Sequence, residues 1–150
     1  MNPADCTVLL VEDNPDDVLL TTRAFKRANL FSPIQVVEDG EKAVAYLSAV
    51  PPYSDRDRYP IPVLVLMDLK LPRKSGLEVL RWIRSVPSLK PIPVVVLTSS
   101  AENMDVNNAY DLGANSYLVK PVSFDALFDM VKILQPYWVI MNKRPNFVTA

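Results

Sequence analysis

The chain has 150 residues, the length of one ordinary domain that can bury a core without disulfide or metal staples. Its 16 Lys+Arg nearly balance 17 Asp+Glu, which excludes a broad basic footprint for nucleic acid or an anionic membrane. The lack of histidine excludes a histidine general base, a histidine metal ligand and a phosphohistidine on this chain. Glycine occurs only at 40, 76 and 113, so no Gly-rich loop of the Rossmann or P-loop kind is present and those nucleotide-binding enzymes are set aside. Cys6 is the single cysteine and reads as a buried, reduced thiol. Met1 to Asp5 lacks the basic and apolar regions of a signal peptide, and the apolar runs are too short to span a bilayer. The expectation is a cytoplasmic protein.

Strand and helix signals alternate along the chain, the pattern of βα units around a parallel sheet. Val8 to Val11 is an apolar run that ends in Glu12 and Asp13. Asn14-Pro15-Asp16-Asp17 then starts a helix, with a capping side chain, proline in the first turn and acids at the positive dipole end. This helix carries Val18, Leu19, Thr22, Phe25 and Lys26 and is expected to reach about Asn29. Pro33 to Val37 reads as a second strand, closed by Glu38-Asp39-Gly40, and Glu41 to Ala49 as a short helix with Ala43, Val44 and Leu47 on one face. Residues 51–62, PPYSDRDRYPIP, read as an extended surface loop, long enough to carry a contact or to be mobile.

Val63 to Met67 forms the third run and ends in Asp68. Leu71 to Gly76 is a loop, and Leu77 to Ser85 a helix stopped before Pro87. Val94 to Leu97 runs into Thr98, and Ala101 to Leu112 is a polar helix with Gly113 in the position that helix ends favour. Asn115 to Val119 leads to Lys120-Pro121, and a last helix starts near Ser123. With no repeat or linker, residues 1–150 read as one domain with an extended C-terminal helix and tail over about 136–150, and no further module is expected to follow.

Short runs of β-branched and aliphatic residues read as strands buried on both faces of a parallel sheet. Ligands of such sheets bind beyond the carboxyl ends of the strands. Glu12, Asp13, Asp68, Thr98 and Lys120 all stand at those ends, so three carboxylates, a hydroxyl and an ammonium share one sheet edge. Any one of them alone would pass for a solvated acid, a helix cap or a surface charge. Close carboxylates repel unless a cation neutralises them, and oxygen ligands without His or Cys suit a hard ion, Mg²⁺ best where a phosphate shares the site. Asp68 can act as a nucleophile on a phosphoryl group, Thr98 can donate to a phosphoryl oxygen, and Lys120 can supply the compensating charge.

In these segments the chain resembles the receiver domain of two-component response regulators, over about residues 6 to 135. LLVEDNP resembles the acidic segment, LVLMDLKLPRKSG the phosphoacceptor segment, VVVLTSSAE the hydroxyl segment and GANSYLVKP the lysine segment. The resemblance implies a flavodoxin-like α/β fold, a three-layer sandwich of five helices on a five-stranded parallel sheet of order 2-1-3-4-5. It implies Asp68 as phosphoacceptor, Mg²⁺ held by Glu12, Asp13, Asp68 and the backbone carbonyl of Lys70, and Lys120 on the phosphoryl group. Thr98 and Tyr117 would be the switch pair, Lys70 and Ser100 would tune phosphoryl lifetime, and Lys120–Pro121 would be cis. The donor would be a sensor histidine kinase. DNPDDVLLTTRAFKRA, the proline-rich insert, Trp82-Ile83-Arg84-Ser85 and the tail LQPYWVIMNKRP further resemble the small stand-alone regulators of cyanobacterial phytochromes, which implies a phytochrome-type kinase.

The resemblance further implies that output is a changed surface of the fourth helix, fifth strand and fifth helix, as Thr98 is drawn inward and Tyr117 turns after it. Phe124, Leu127, Phe128, Val131, Leu134, Trp138 and Met141 recur at spacings of three and four. The sheet should cover only the first half of that stripe. A homodimer through Phe124, Phe128, Tyr137, Trp138 and Met141 is therefore expected, against the alternative that the tail folds back on its own domain. Two other functions stay open: a phosphorylation-silent dimeric scaffold, and an aspartyl-phosphate hydrolase. The hydrolase is disfavoured because Lys70 stands where those enzymes place a second aspartate.

Overall fold

The apolar runs pair side by side into one parallel sheet, and the connections between them supply the helices. The computed structural model describes residues 6–28 and 32–143, the side chain of residue 140 excepted. The readings of Met1 to Asp5, of a helix end at Asn29, of the Ile140 side chain and of the tail over 144–150 lie outside the described residues. The elements are β1 (Val8–Val11), α1 (Pro15–Arg27), β2 (Ile34–Val37), α2 (Gly40–Leu47), β3 (Leu64–Met67), α3 (Gly76–Ser85), β4 (Val94–Thr98), α4 (Asn103–Asp111), β5 (Ser116–Val119) and α5 (Phe124–Gln135). The strand order is 2-1-3-4-5, as the resemblance implied.

β1, β3 and β4 are buried throughout, while the outer β2 and β5 are partly open. Alternate residues feed two cores. Leu9, Val11, Val65, Met67 and Val96 pack with Tyr46, Leu80 and Ile83 from α2 and α3. Val8, Leu10, Leu66 and Val95 pack with Phe25 of α1 and with Leu127 and Val131 of α5. Helices therefore cover both faces, and the polar strand ends are left at the rim. Asn14, Asp39, Ser75 and Ser123 each cap a helix by accepting from its first backbone N–H groups. α4 has no such side-chain cap and buries only Ala109, and it is shorter than the 101–112 expected.

Gly76 and Gly113 are positions that need glycine. A Cβ at Gly76 would sit 2.2 Å from the Asp68 carbonyl oxygen, so this residue lets α3 begin against the β3 end. Gly113 takes φ +103 after α4, and a Cβ there would also press on Arg84 Nε at 2.8 Å. Arg84 itself donates to the carbonyls of Gly113, Lys90 and Ile92 and to Asn115 Oδ1, which ties α3 to the loops before β4 and β5.

The 51–62 segment differs from the extended loop expected. Tyr53 and Tyr59 meet edge to face with centroids 5.2 Å apart, and both contact the ring of Tyr46 at 5.3 and 5.9 Å. Arg56 donates to the carbonyls of Tyr46 and Leu47, both at 2.9 Å, and of Tyr59 at 3.0 Å, while the Tyr46 hydroxyl donates to Pro60 O at 2.8 Å. The Arg56 fork thus satisfies the Leu47 carbonyl at the end of α2 and shares the Tyr46 carbonyl with Ala49 N–H. Aromatic burial and this fork fold the segment onto the domain.

The C-terminal stripe also divides. After Gln135 the chain continues as a π-helical turn, Pro136–Met141, in which Asn142 N–H donates to Tyr137 O at 2.6 Å. Val139 is buried and Trp138 packs against the α1–α5 core, so the turn folds back on its own domain. Tyr137, Met141 and Ile133 remain exposed. No helix among the described residues is long and apolar enough to cross a membrane.

Candidate functional site

The sheet register carries the polar residues to one level. Val11 pairs with Met67, so Glu12 and Asp68 emerge together; Met67 pairs with Val96 and Thr98 with Val119, so Thr98 stands one residue further along and Lys120 follows directly. The ladder bonds run past the strands: Glu12 N–H donates to Val37 O at 3.0 Å, Asp68 N–H to Val11 O at 3.0 Å and Lys120 N–H to Thr98 O at 2.7 Å. The site backbone is therefore part of the sheet. Glu12 and Asp68 are buried and Asp13 is exposed, yet all three offer carboxylate oxygens within 4.8 Å of one another.

Both Asp68 oxygens are engaged. Thr98 Oγ1 donates to Oδ1 at 2.7 Å, joined by Lys70 N–H at 3.3 Å, and Lys120 Nζ donates to Oδ2 at 2.9 Å. Lys120 also donates to Glu12 and, at 3.0 Å, to Asp17 Oδ2. Asn14 N–H donates to the other Glu12 oxygen at 3.2 Å. The Lys70 side chain is exposed. Lys120–Pro121 is trans rather than cis, the cis bond among the described residues being Pro51–Pro52; Lys120 nonetheless reaches the carboxylates from this backbone.

One ammonium faces more negative charge than it can cancel. Burial, with the charge of Asp68 added, pushes the Glu12 carboxyl up to about 7 against hydrogen bonds from Lys120 and Asn14. Burial acts the same way on Asp68, but the Lys120 and Thr98 hydrogen bonds hold it below the usual carboxylate range. Burial would lower Lys120; the bonds to Glu12, Asp68 and Asp17 outweigh it and raise the ammonium above its ordinary value. The result is an ionised Asp68 beside a fixed cation. Three hard oxygen donors with surplus negative charge also fit a divalent cation, reached by way of exposed Asp13.

Tyr117 is half-buried, and its hydroxyl donates to the Ser100 carbonyl at 2.8 Å. Ser100 Oγ donates to Asp105 and accepts Glu102 N–H at the start of α4. Thr98 and Tyr117 thus act on the two ends of one short segment. The expected dimer residues do not form one free face. Phe124 and Trp138 pack against their own core, Phe128 lies under the Arg27 guanidinium at 4.7 Å, and Tyr137 and Met141 are exposed. Asp17 is the site residue that sequence reasoning missed, because a helix-start role already accounted for it. Its place in the first turn after Asp13, on a helix rooted at the same sheet edge, was the available sign.

Residues 8–132 match the response regulator receiver domain family. The chain belongs to it. Within that receiver family it is 40% identical over 139 residues to the probable methanogenesis regulatory protein FilR2 of Methanothrix harundinacea, covering 93% of this chain and 87% of that one. It is 39% identical over 132 residues to response regulator Rcp1 of Synechocystis sp., covering 88% of each. The crystal structure of Mn²⁺-bound Rcp1 superposes with a TM-score of 0.83 over 94% of this chain and 99% of the other. The phosphorylated cyanobacterial phytochrome response regulator RcpA superposes with a TM-score of 0.87 at 38% identity, covering 94% and 99%. The receiver fold, its signalling class and a site that suits a divalent metal are thereby established for this chain.

Proposed function

We propose that Asp68 accepts a phosphoryl group from a phytochrome-type sensor histidine kinase and that the chain signals as a stand-alone regulator. The observation that supports this most is the engagement of Asp68: an ionised carboxylate with a hydroxyl on one oxygen and an ammonium on the other. An Asp68 oxygen attacks phosphorus in line, the P–N bond of the donor phosphohistidine breaks, and the imidazole leaves. Lys120 and Thr98 then turn their donors to the phosphoryl oxygens. Glu12, Asp13, Asp68 and the Lys70 carbonyl would hold Mg²⁺, which neutralises charge on the transferring group when bound. The phytochrome link rests on the likeness to Rcp1 and RcpA. Buried Cys6 suits the reducing cytoplasm, where we place the protein.

In the same reading, Thr98 and Tyr117 couple the site to α4, β5 and α5 through the Ser100 segment. We also propose a homodimer on the outer face of α5 and its π-helical turn. Tyr137 and Met141 are its exposed apolar members, the Tyr137 ring rests against Trp138, and Phe124 and Phe128 would join the face from earlier turns of α5. Removing the tail would also strip Trp138 and Val139 from the core, so the cleaner test is Tyr137→Ser with Met141→Ser in sedimentation. A halved mass is expected; an unchanged mass overturns the dimer face.

The acceptor itself is tested by intact mass after incubation with acetyl phosphate and Mg²⁺. One added phosphoryl group is expected, absent in Asp68→Asn and after EDTA. No gain, from acetyl phosphate or from a phytochrome-type kinase, overturns the reading in favour of the silent scaffold. A gain from another histidine kinase alone overturns the phytochrome link.

A further inference from the structure

An ammonium has three N–H donors, and Lys120 directs all of its own at carboxylates: Glu12, Asp68 and Asp17. Glu12 and Asp68 stand at strand ends. Asp17 comes from the first turn of α1, where its N–H is fixed by the Asn14 cap at 3.4 Å. The three acceptors differ in access to water, their side chains being 4%, 10% and 36% exposed for Glu12, Asp68 and Asp17. Asp16, the neighbour of Asp17 in the same turn, is exposed and makes no side-chain contact with Lys120.

A phosphoryl group on Asp68 takes over the Lys120 donor that the carboxylate held, and Lys120 can serve a second phosphoryl oxygen only by giving up Glu12 or Asp17. Releasing Glu12 would leave a buried carboxylate oxygen without its donor. Releasing Asp17 leaves a carboxylate that water can solvate, which costs less. We propose that Asp17 is a positioning residue that competes with the phosphoryl group for the Lys120 ammonium, and so sets how tightly the phosphorylated site is held. This inference rests on Asp68 being the phosphoacceptor. Asp17 holds Lys120 in place before phosphorylation and yields it afterwards, which couples the start of α1 to the state of the site.

The test is beryllofluoride, a phosphoryl mimic, titrated at saturating Mg²⁺ against the full chain and read from the bound ¹⁹F NMR signal. Asp17→Asn and Asp17→Ala, both checked for native helix content, should bind about twofold to fivefold more tightly than wild type, the range of a partly exposed charge pair. Asp17→Glu should restore the wild-type affinity, and Asp16→Asn should not change it, since loss of one acid from the same turn is not the cause. Equal or weaker binding by both Asp17→Asn and Asp17→Ala overturns the proposal. A tightening in Asp16→Asn as large as theirs also overturns it. A wild type that binds no beryllofluoride overturns the acceptor reading and this inference with it.

Discussion

Lys120 and Arg56 are both cations drawn into the domain, and they are held by opposite kinds of acceptor. Lys120 lies among carboxylates at the sheet edge, whereas Arg56 lies among the backbone carbonyls of Tyr46, Leu47 and Tyr59. Their acid–base behaviour differs accordingly. Burial lowers the Arg56 guanidinium from its ordinary value because neutral dipoles only partly replace water, while full negative charges raise Lys120 in spite of burial. Arginine offers a rigid planar fork that suits several fixed carbonyls, and lysine a compact charge that can change partners. One arrangement fixes structure; the other is poised for exchange with an anion.

Lys120→Met breaks the comparison most severely. It should slow phosphoryl acceptance from acetyl phosphate about a hundredfold by intact mass, the scale of losing a preorganised charge partner, whereas Arg56→Met should leave the rate unchanged. The reverse contrast is expected in urea unfolding. Arg56→Met leaves the Leu47 and Tyr59 carbonyls without their Arg56 donor and should cost about 3 kcal/mol, with no recovery on adding Mg²⁺. Lys120→Met leaves Glu12, Asp68 and Asp17 uncompensated, so its loss of stability should shrink as Mg²⁺ is added. If Mg²⁺ restored both variants equally, the distinction between the two cations would fail.

A smaller effect sharpens the Arg56 side. Burial pushes the Tyr46 hydroxyl from 10.0 up to about 12. The folded chain therefore keeps a proton that the unfolded chain loses, and this share of stability is whole below pH 10 and is lost as pH rises from about 10 to about 12. Tyr46→Phe should cost about 1 kcal/mol at neutral pH through the lost bond to Pro60 O. It should also flatten the alkaline fall by about 2 kcal/mol, which denaturation at pH 9 and pH 12 would measure. An identical slope in the variant would remove Tyr46 from the account.

Much of the site was legible because parallel strands are short and apolar, and each of these ends at a polar residue. Glu12, Asp13, Asp68, Thr98 and Lys120 stand directly after such runs, and the ladder extends to Glu12, Asp68 and Lys120, so position in sequence becomes position in space. Asp17 was hidden because a local role was sufficient to explain it; only the approach of Lys120 across the fold adds the second. The insert is the surface loop that its sequence suggests, but its compact packing was hidden for a related reason. Proline and charge describe its backbone well, but its order comes from Tyr46, Tyr53, Tyr59 and Arg56 meeting across it. At the C-terminus, spacing revealed an apolar stripe but not that Trp138 and Val139 would turn inward while Tyr137 and Met141 stayed out.

By itself, then, the sequence determined the alternation of strands and helices, the order of the polar residues along the sheet edge and the receiver family. The first two depend on periodicity, local capping and strand ends, which neighbouring residues specify, and the family on the likeness of four motif segments. Only the tertiary structure decided which carboxylates share the Lys120 ammonium, how Arg56 closes the insert and which half of the C-terminal stripe is covered. Each of those is a competition among distant groups for one donor or one patch of apolar surface, and its outcome depends on where the packed helices bring them.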